Sequence, residues 1–304
     1  MKIGFVGMGA LGLMYGEVFH LNGVLKGDYE LVYIMDKDRA IKYSDTVYNI
    51  NGKDYKFNLV AACDAEPVDL LIVSVKYLGL KSALDVMEKA IGENTVVMSV
   101  MNGISSEAII KERFKAAHVI YSVAQGMDCM KMGTKVSYTK MGQIFIGTDN
   151  SDDEKYVKQV ADIFDDVKMP YVYEKEIIFR MWSKFMLNVG INQTCMVYGI
   201  GYGKALEKGE ANRTLLAAFR EVIAVANAEG VNLGEAQINQ YIDILKTLKP
   251  ENVPSMAQDR INKNPCEVDM FAGTVIELGK KHNIYTPTNE FLFERAKEIE
   301  SEYI

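Results

Sequence analysis

The chain has 304 residues, of which 49% are hydrophobic and 25% charged, enough for one large or two ordinary globular domains with real cores. Its net charge of −7 argues against a broad nucleic-acid interface, which needs a surplus of Lys and Arg, and means that an anionic ligand would have to meet local positive charge. The four cysteines, Cys63, Cys129, Cys195 and Cys266, form no C-x-x-C pair, no apolar run is long enough to span a bilayer, and the N-terminus lacks a signal peptide's basic region and cleavage site; a reduced, cytoplasmic protein is expected.

Lys2 to Val6 reads as a short buried strand that runs at once into Gly7-Met8-Gly9-Ala10-Leu11-Gly12, and then into a helical stretch to Leu21. In this strand–turn–helix setting G-x-G-x-x-G is a dinucleotide fingerprint. The first glycine makes the tight turn, the second lets a pyrophosphate approach the backbone, and the third lets helix pack on strand. The helix N-terminus offers free N–H groups and a positive dipole end to the phosphates.

Glu30 to Met35 is the second strand and ends at Asp36. An acid there binds ribose hydroxyls and favours NAD(H). Lys37 and Arg39 follow directly, and a basic residue at this point holds a 2′-phosphate instead, which keeps NADP(H) open. All three also fit as plain solvated residues at a strand end. Asp69 to Val75 is a buried parallel strand by pattern, with Lys76 at its carboxyl end, where ligands bind in open α/β sheets. Thr95 to Val100 is the next strand and leads into Met101-Asn102-Gly103. Asn102 fits both as the cap of the following helix and as an amide placed over nicotinamide and substrate. His118 to Ala124 follows as a further strand, and Thr134 to Tyr138 with Gln143 to Gly147 reads as a hairpin around a glycine-containing turn. The alternation implies a mostly parallel, doubly wound sheet, an α/β Rossmann-type domain over residues 1–170.

After Pro170 to Tyr173 strand signals almost vanish. Ile177 to Val197, Gly209 to Glu229, Leu233 to Leu248, Gly273 to His282 and Asn289 to Tyr303 look helical, so residues 171–304 are expected to form an all-α domain. Its first helix is apolar except for a row at intervals of four: Lys184, Asn188 and Asn192. Residues four apart lie on nearly one face, so an ammonium and two amides share one edge of a buried helix. The row fits a satisfied polar seam between helices as well as it fits a site. Further on, Ser255-x-x-Gln258 has the form of a capping box with Ser255 as N-cap, and Glu267 follows a loop. The three histidines, His20, His118 and His282, show no ligand spacing, and no metal is expected.

Taken together these stretches resemble 2-dehydropantoate 2-reductase, the ketopantoate reductase family, over nearly the whole chain. The resemblance rests on Gly7 to Gly12, on Val75-Lys76, on Asn102-Gly103, and on Trp182-x-Lys184-x-x-x-Asn188-x-x-x-Asn192. It continues in Ser255-Met256-x-Gln258-Asp259 and in Glu267-Val268-Asp269. Departures are Cys266 where the family usually has Thr, Ala272 where it usually has Asn, and Asp36 where NADPH-using members resemble one another in carrying a basic residue.

The resemblance implies hydride transfer from NAD(P)H to 2-dehydropantoate, giving pantoate for pantothenate and coenzyme A synthesis. Lys184 would be the general acid, and Glu267 would hydrogen-bond the substrate hydroxyl. Asn188, Asn192 and Asn252 would orient the substrate, Ser255 would hold its carboxylate, and Asn102 and Lys76 would contact cofactor and substrate, with Asp259 in support. The implied partner is a small anionic 2-oxo acid, and the protein a monomer or homodimer. Rival readings are a reductase of another branched 2-oxo acid, a β-hydroxyacid dehydrogenase, which also uses Lys-x-x-x-Asn, and a non-enzymatic dinucleotide sensor.

Overall fold

A computed structural model describes residues Met1–Tyr303. The chain divides into two compact units, Met1–Ile178 and Phe179–Ile304, so the division falls just inside a helix and beyond residue 170.

The first unit runs β1 (Lys2–Val6), α1 (Ala10–Asn22), β2 (Glu30–Met35), α2 (Lys37–Tyr43), β3 (Tyr48–Ile50), β4 (Lys53–Tyr55), β5 (Leu59–Ala61), β6 (Leu70–Val73), α3 (Leu80–Met87), β7 (Val96–Ser99), α4 (Ser106–Arg113), β8 (His118–Gln125), β9 (Met130–Met132), β10 (Lys135–Ser137), β11 (Gln143–Gly147), α5 (Glu154–Val167) and β12 (Tyr171–Tyr173). Eight strands form one sheet in the order β12-β11-β8-β7-β6-β1-β2-β5. All neighbours in it are parallel except β11 and β8. The central strands are apolar without alternation because helices cover both faces. Ile3 and Phe5 pack with Leu13 and Met14 of α1 and Val160 of α5. Val6 and Leu71 pack on the other side with Leu80 and Ala83 of α3 and Ile110 of α4.

The chain lays β2 on one side of β1 and returns to lay β6 on the other, which makes the β1–β6 junction a topological switch point. Register brings the carboxyl ends level there. Val6 pairs with Ile34 and with Val73, and Val73 pairs with Ser99. The segments that follow these four strands therefore leave the sheet at one edge.

The expected hairpin of residues 134–138 and 143–147 does not form. β10 pairs antiparallel with β9 and parallel with β3, in a separate sheet ordered β4-β3-β10-β9, whereas β11 pairs with β8. The tight turn is one glycine-containing step earlier. Met132 faces Lys135 across Gly133 and Thr134, and Gly133 has φ +59°, as a two-residue hairpin turn demands. Gly142 serves instead to let the chain cross the backbone of Gln125 and Met127, where a Cβ has no room. The short strands β3, β4, β5 and β9 carry too few residues to show an alternation.

In the second unit α6 (Ile177–Tyr198) is followed by α7 (Tyr202–Leu206), α8 (Glu210–Ala228), α9 (Glu235–Lys246), α10 (Ser255–Ile261), a π-turn over Asp269–Gly273, α11 (Thr274–His282) and α12 (Pro287–Ser301). Gly190, midway along α6, lets the Phe219 ring and Leu215 of α8 close onto the helix axis; any side chain there would collide with the ring. Among the described residues no helix is long and apolar enough to cross a membrane.

One buried polar chain links the sheet to α4. Ser122 Oγ donates to the Ser99 carbonyl, Ser99 Oγ and Ser106 Oγ lie 2.8 Å apart, and Ser106 Oγ donates to Glu107 Oε2 at 2.8 Å. Burial is the largest influence on Glu107 and pushes its carboxyl up to about 7, against these hydrogen bonds and Lys111. The folded protein therefore keeps a proton that the unfolded chain releases above about pH 4.5, and this stabilisation is lost as pH rises toward 7, by roughly 3 kcal/mol. Glu107→Gln should flatten that part of the stability profile. Thermal unfolding of both proteins from pH 4 to 8 should show the wild type losing Tm relative to the variant, and parallel curves would disprove the buried, proton-holding carboxyl.

Candidate active site

The Gly7–Gly12 loop occupies the switch point. Gly7 has φ +112°, and a Cβ there would stand 2.6 Å from the Ser74 carbonyl oxygen. A Cβ on Gly12 would collide with the Gly7 carbonyl and Ser74 Oγ. Ser74, just beyond β6, binds the loop by donating to the Gly7 carbonyl at 2.9 Å. Gly9 differs, because its nearest neighbour would lie at an ordinary 3.6 Å. Two of the glycines therefore let the protein close on itself, and Gly9 leaves a smooth, open approach. Gly9 also precedes α1, whose first turn has no acidic residue and no side-chain cap. Met8, Ala10 and Leu11 are held from behind. Tyr48 Oη donates to Met8 Sδ, Cys129 Sγ to the Ala10 carbonyl, and Leu11 packs on the core. A short backbone cradle at a helix N-terminus suits a pyrophosphate.

Asp36 ends β2 and caps α2. Its Oδ1 accepts from Arg39 N at 2.9 Å, and its Oδ2 lies 3.3 Å from Arg39 Nε. The carboxylate and the guanidinium thus form one exposed pair on the same edge as the loop. Lys76 is exposed at the head of the short turn after β6, where its carbonyl accepts from Gly79 N. Asn102 does not cap α4. That helix begins at Ser106 with Ser105 before it, and Asn102 lies in the preceding bend next to Gly103, whose φ is +95°. The extra residues lengthen the loop beyond the reach of an N-cap. Asp36, Lys76 and Asn102 thus all lie in the segments that follow the carboxyl ends of β2, β6 and β7.

The second unit carries the polar row of α6. Asn188 and Asn192 are buried, and Asn192 Nδ2 donates to Asn188 Oδ1 at 3.2 Å, as the four-residue spacing allows. Asn192 Oδ1 accepts from Ser255 Oγ at 2.9 Å and from Met256 N at 3.3 Å. This changes the reading of Ser255. Pro254 is the residue before α10, no side chain caps the helix, and no capping box forms; the Ser255 hydroxyl is engaged by Asn192 instead. Asn252 is exposed, and it is its main chain that packs, against Tyr202 N and Lys249. Asp259 sits in α10, where its carbonyl accepts from Asn264 N.

At the head of the row Lys184 keeps some access to solvent, yet protein surrounds it, with Met181, Trp182 and Phe185 buried beside it. Burial lowers its ammonium pKa to about 8, and the Glu267 carboxylate opposes that fall. Glu267 is itself 9% exposed. Phe185 meets Trp182 at 5.9 Å and Phe271 at 6.4 Å between ring centroids, so an aromatic wall runs from α6 to the π-turn after Glu267. Lys184, Asn188, Asn192, Ser255 and Glu267 therefore belong to one constellation. A dry ammonium poised near neutral pH can protonate an oxygen on which charge develops.

Two residues outside the row also shape it. Arg260 Nη1 donates to the carbonyls of Met196 and Val197 and so closes the end of α6. Gln193 is fully buried beside the row. Its only trace in the sequence is a second amide directly after Asn192 in an apolar helix. All four cysteines are free thiols, and no cluster suited to a metal ion occurs among the described residues.

A Rossmann-type sheet with a phosphate cradle at its switch point, followed by a helical unit with a buried lysine, defines an oxidoreductase class that works with a nicotinamide dinucleotide. The family model "Ketopantoate reductase PanE/ApbA" matches residues 3–151, and "Ketopantoate reductase PanE/ApbA C terminal" matches residues 176–300. The chain belongs to the ketopantoate reductase family. It is 26% identical over 305 residues to a 2-dehydropantoate 2-reductase of Lactococcus lactis subsp. lactis, covering 96% of each chain. The solved PanE/ApbA family ketopantoate reductase of Ralstonia eutropha JMP134 superposes with a TM-score of 0.84 at 23% identity, over 100% of this chain and 99% of that one. D-mandelate dehydrogenase in complex with NADH superposes with a TM-score of 0.86 at 22% identity, over the whole of both chains.

The loop geometry separates the glycines experimentally. Gly12→Ala should destabilise the protein by about 1–3 kcal/mol through overpacking, whereas Gly9→Ala, with ordinary contacts, should leave the denaturation midpoint near that of the wild type. Equal effects in denaturant titrations would contradict this division of roles.

Proposed function

We propose that this chain reduces a small anionic 2-oxo acid with NADH or NADPH, and that its substrate is 2-dehydropantoate. The observation that carries the reading is Lys184, an ammonium brought down to about 8 by burial with the Glu267 carboxylate set against it. Gly7 to Gly12 would hold the pyrophosphate, the Asp36–Arg39 pair would meet the adenosine ribose, and Lys76 and Asn102 would contact the nicotinamide end and the substrate. The dinucleotide supplies the hydride to the carbonyl carbon.

Lys184 supplies the proton. As the carbonyl oxygen gains negative charge, Nζ donates to it, the O–H bond forms, and the lysine is left as a neutral amine that solvent recharges. Glu267 favours the charged lysine before the step and would accept a hydrogen bond from the substrate's hydroxyl. Asn188 would bind the carboxylate end, joined by Ser255 once its hydroxyl turns from Asn192 to the substrate, with Asn252 at the rim. Asn192 joins α6 to α10 and keeps Asn188 and Ser255 at their spacing. Residues 1–178 would thus bind the dinucleotide, and residues 179–304 the oxo acid.

A neighbouring reading keeps the chemistry and changes the acid, since relatives of this fold carry the names of both ketopantoate and mandelate enzymes. Initial rates with 2-dehydropantoate, 2-oxoisovalerate and phenylglyoxylate, each with NADH and with NADPH, decide between them. A preference for 3-hydroxy acids would indicate a β-hydroxyacid dehydrogenase, and cofactor binding without turnover of any acid a sensor.

With the preferred acid, reduction should decline as pH rises through about 8, because the lysine must be charged to donate. Lys184→Ala should lower kcat by about 10²–10⁴-fold while dinucleotide binding, followed by fluorescence, persists. Near-normal turnover in this variant would reject the assignment. Asp36→Ala should shift the ratio of kcat/KM values for NADPH and NADH toward NADPH by freeing Arg39 for a 2′-phosphate. An unchanged ratio would leave Asp36 only its capping role.

A further inference from the structure

Gln193 follows Asn192 by one residue and so faces about 100° away from the row of Lys184, toward the interior of the helical unit. It is 0% exposed, and each side of its amide is engaged. Oε1 accepts from Ala272 N at 3.0 Å, inside the π-turn. Nε2 donates to the Val189 carbonyl at 2.7 Å and to Asn289 Oδ1 at 3.3 Å. Asn289, also 0% exposed, donates through N and Nδ2 to Glu221 Oε2 of α8 at 2.9 and 2.7 Å. The amide can take only one orientation, because a flip would set its NH2 against the Ala272 N–H and its oxygen against two acceptors.

The π-turn hangs directly on Glu267. The Glu267 carbonyl accepts from Met270 N and Phe271 N, both at 3.1 Å, so any shift of the turn carries that residue with it. The outer side of the same segment is held by α12. Glu300 Oε1 accepts from Cys266 N at 2.8 Å, and Lys297 Nζ lies 2.6 Å from Asp269 Oδ2. The Lys297–Asp269 pair is partly exposed and worth little, while the Glu300 carboxylate, 13% exposed, anchors only the Cys266 end of the segment. The inner tie is fully buried, and its loss would leave the Ala272 N–H without a partner in the core, which the turn can relieve only by moving.

We propose that Gln193 is a positioning residue: its buried amide fixes the turn of residues 267–273 and so sets where the Glu267 carboxylate stands with respect to Lys184. π-Turns are irregular backbone commonly found at functional sites, and this one is locked from the helix that carries the acid itself. The carboxylate that acts on the Lys184 charge is that of Glu267, while Arg180, one turn earlier on α6, acts on Tyr241 of α9. Moving the turn therefore changes the electrostatic partner of Lys184 without touching either residue. The consequence for turnover rests on the proposed carbonyl reduction; the coupling between Gln193 and Lys184 does not.

The test uses the full chain with 13C at the lysine ε-carbons, the Lys184 resonance being assigned by its loss in Lys184→Arg. In Gln193→Met, of similar volume and at best a weak acceptor for Ala272 N, Lys184 should titrate at lower pH than in the wild type. Glu267→Gln should shift it in the same direction, and the double variant should show no further shift. With the preferred oxo acid, Gln193→Met should lower kcat by about 10²-fold through misplacement and move the high-pH limb of the profile downward together with the lysine. A folded Gln193→Met protein with wild-type Lys184 titration overturns the proposal, as do additive shifts in the double variant. Should the variant not fold, hydrogen exchange in the wild type decides. The Ala272 amide must be as protected as those of α6, and fast exchange there removes the tie. If no oxo acid is turned over but the titrations behave as stated, the functional reading fails and the positioning role stands.

Discussion

An ammonium inside a protein must either lose its proton or find compensation, and the helical unit is arranged around that constraint at Lys184. The helix that carries it is largely apolar, and its neighbours in sequence Met181, Trp182 and Phe185 are buried, while Lys184 itself keeps some access to solvent. Gly190 removes a side chain at the one point where α8 must close, which tightens the unit further. Burial alone would lower the lysine's pKa further. Glu267 holds it in between, at about 8, where it can both carry and release a proton near neutral pH. Hydrogen bonds tie the surrounding elements together: Asn192 joins α6 to α10, Arg260 closes the end of α6, and Gln193 reaches the turn beyond Glu267.

The α/β unit meets a different constraint, steric rather than electrostatic. Parallel strands of matched register end level with one another, so the segments after β1, β2, β6 and β7 share an edge. The sheet order reverses between β1 and β6, and the loop placed there must be thin. Gly7 and Gly12 satisfy this by admitting Ser74 and the loop's own carbonyl into space that a Cβ would fill. The open approach at Gly9, where the pyrophosphate is proposed to lie, is thus a by-product of close packing behind the loop.

Where local chemistry repeats, residues and structure agree. The strands Lys2–Val6 and Glu30–Met35 have the bounds expected from their apolar runs, and the long helices of the second unit begin and end within a few residues of expectation. The row Lys184, Asn188, Asn192 lies on one face because helix geometry allows nothing else. Where a residue has two local options, neighbours in sequence mislead. Ser255 has the form of a cap yet bonds Asn192, 63 residues away. Asn102 precedes a helix yet does not cap it. Gly142 suggests a hairpin turn yet serves a crossing of two chain segments, while the true turn uses Gly133.

The sequence by itself determined the central strands, the long helices and the glycine loop between β1 and α1, because these depend on periodicities and spacings shorter than about two helical turns. Only tertiary structure decided how far Lys184 is enclosed, that Glu267 opposes its loss of charge, and that Asn192 and Gln193 on adjacent positions hold two different partners. Desolvation depends on atoms that come from α6, the π-turn and their neighbours at once, and no window of sequence contains them. The same reason explains why an amide at position 193 shows no role in the sequence and three hydrogen bonds in the fold.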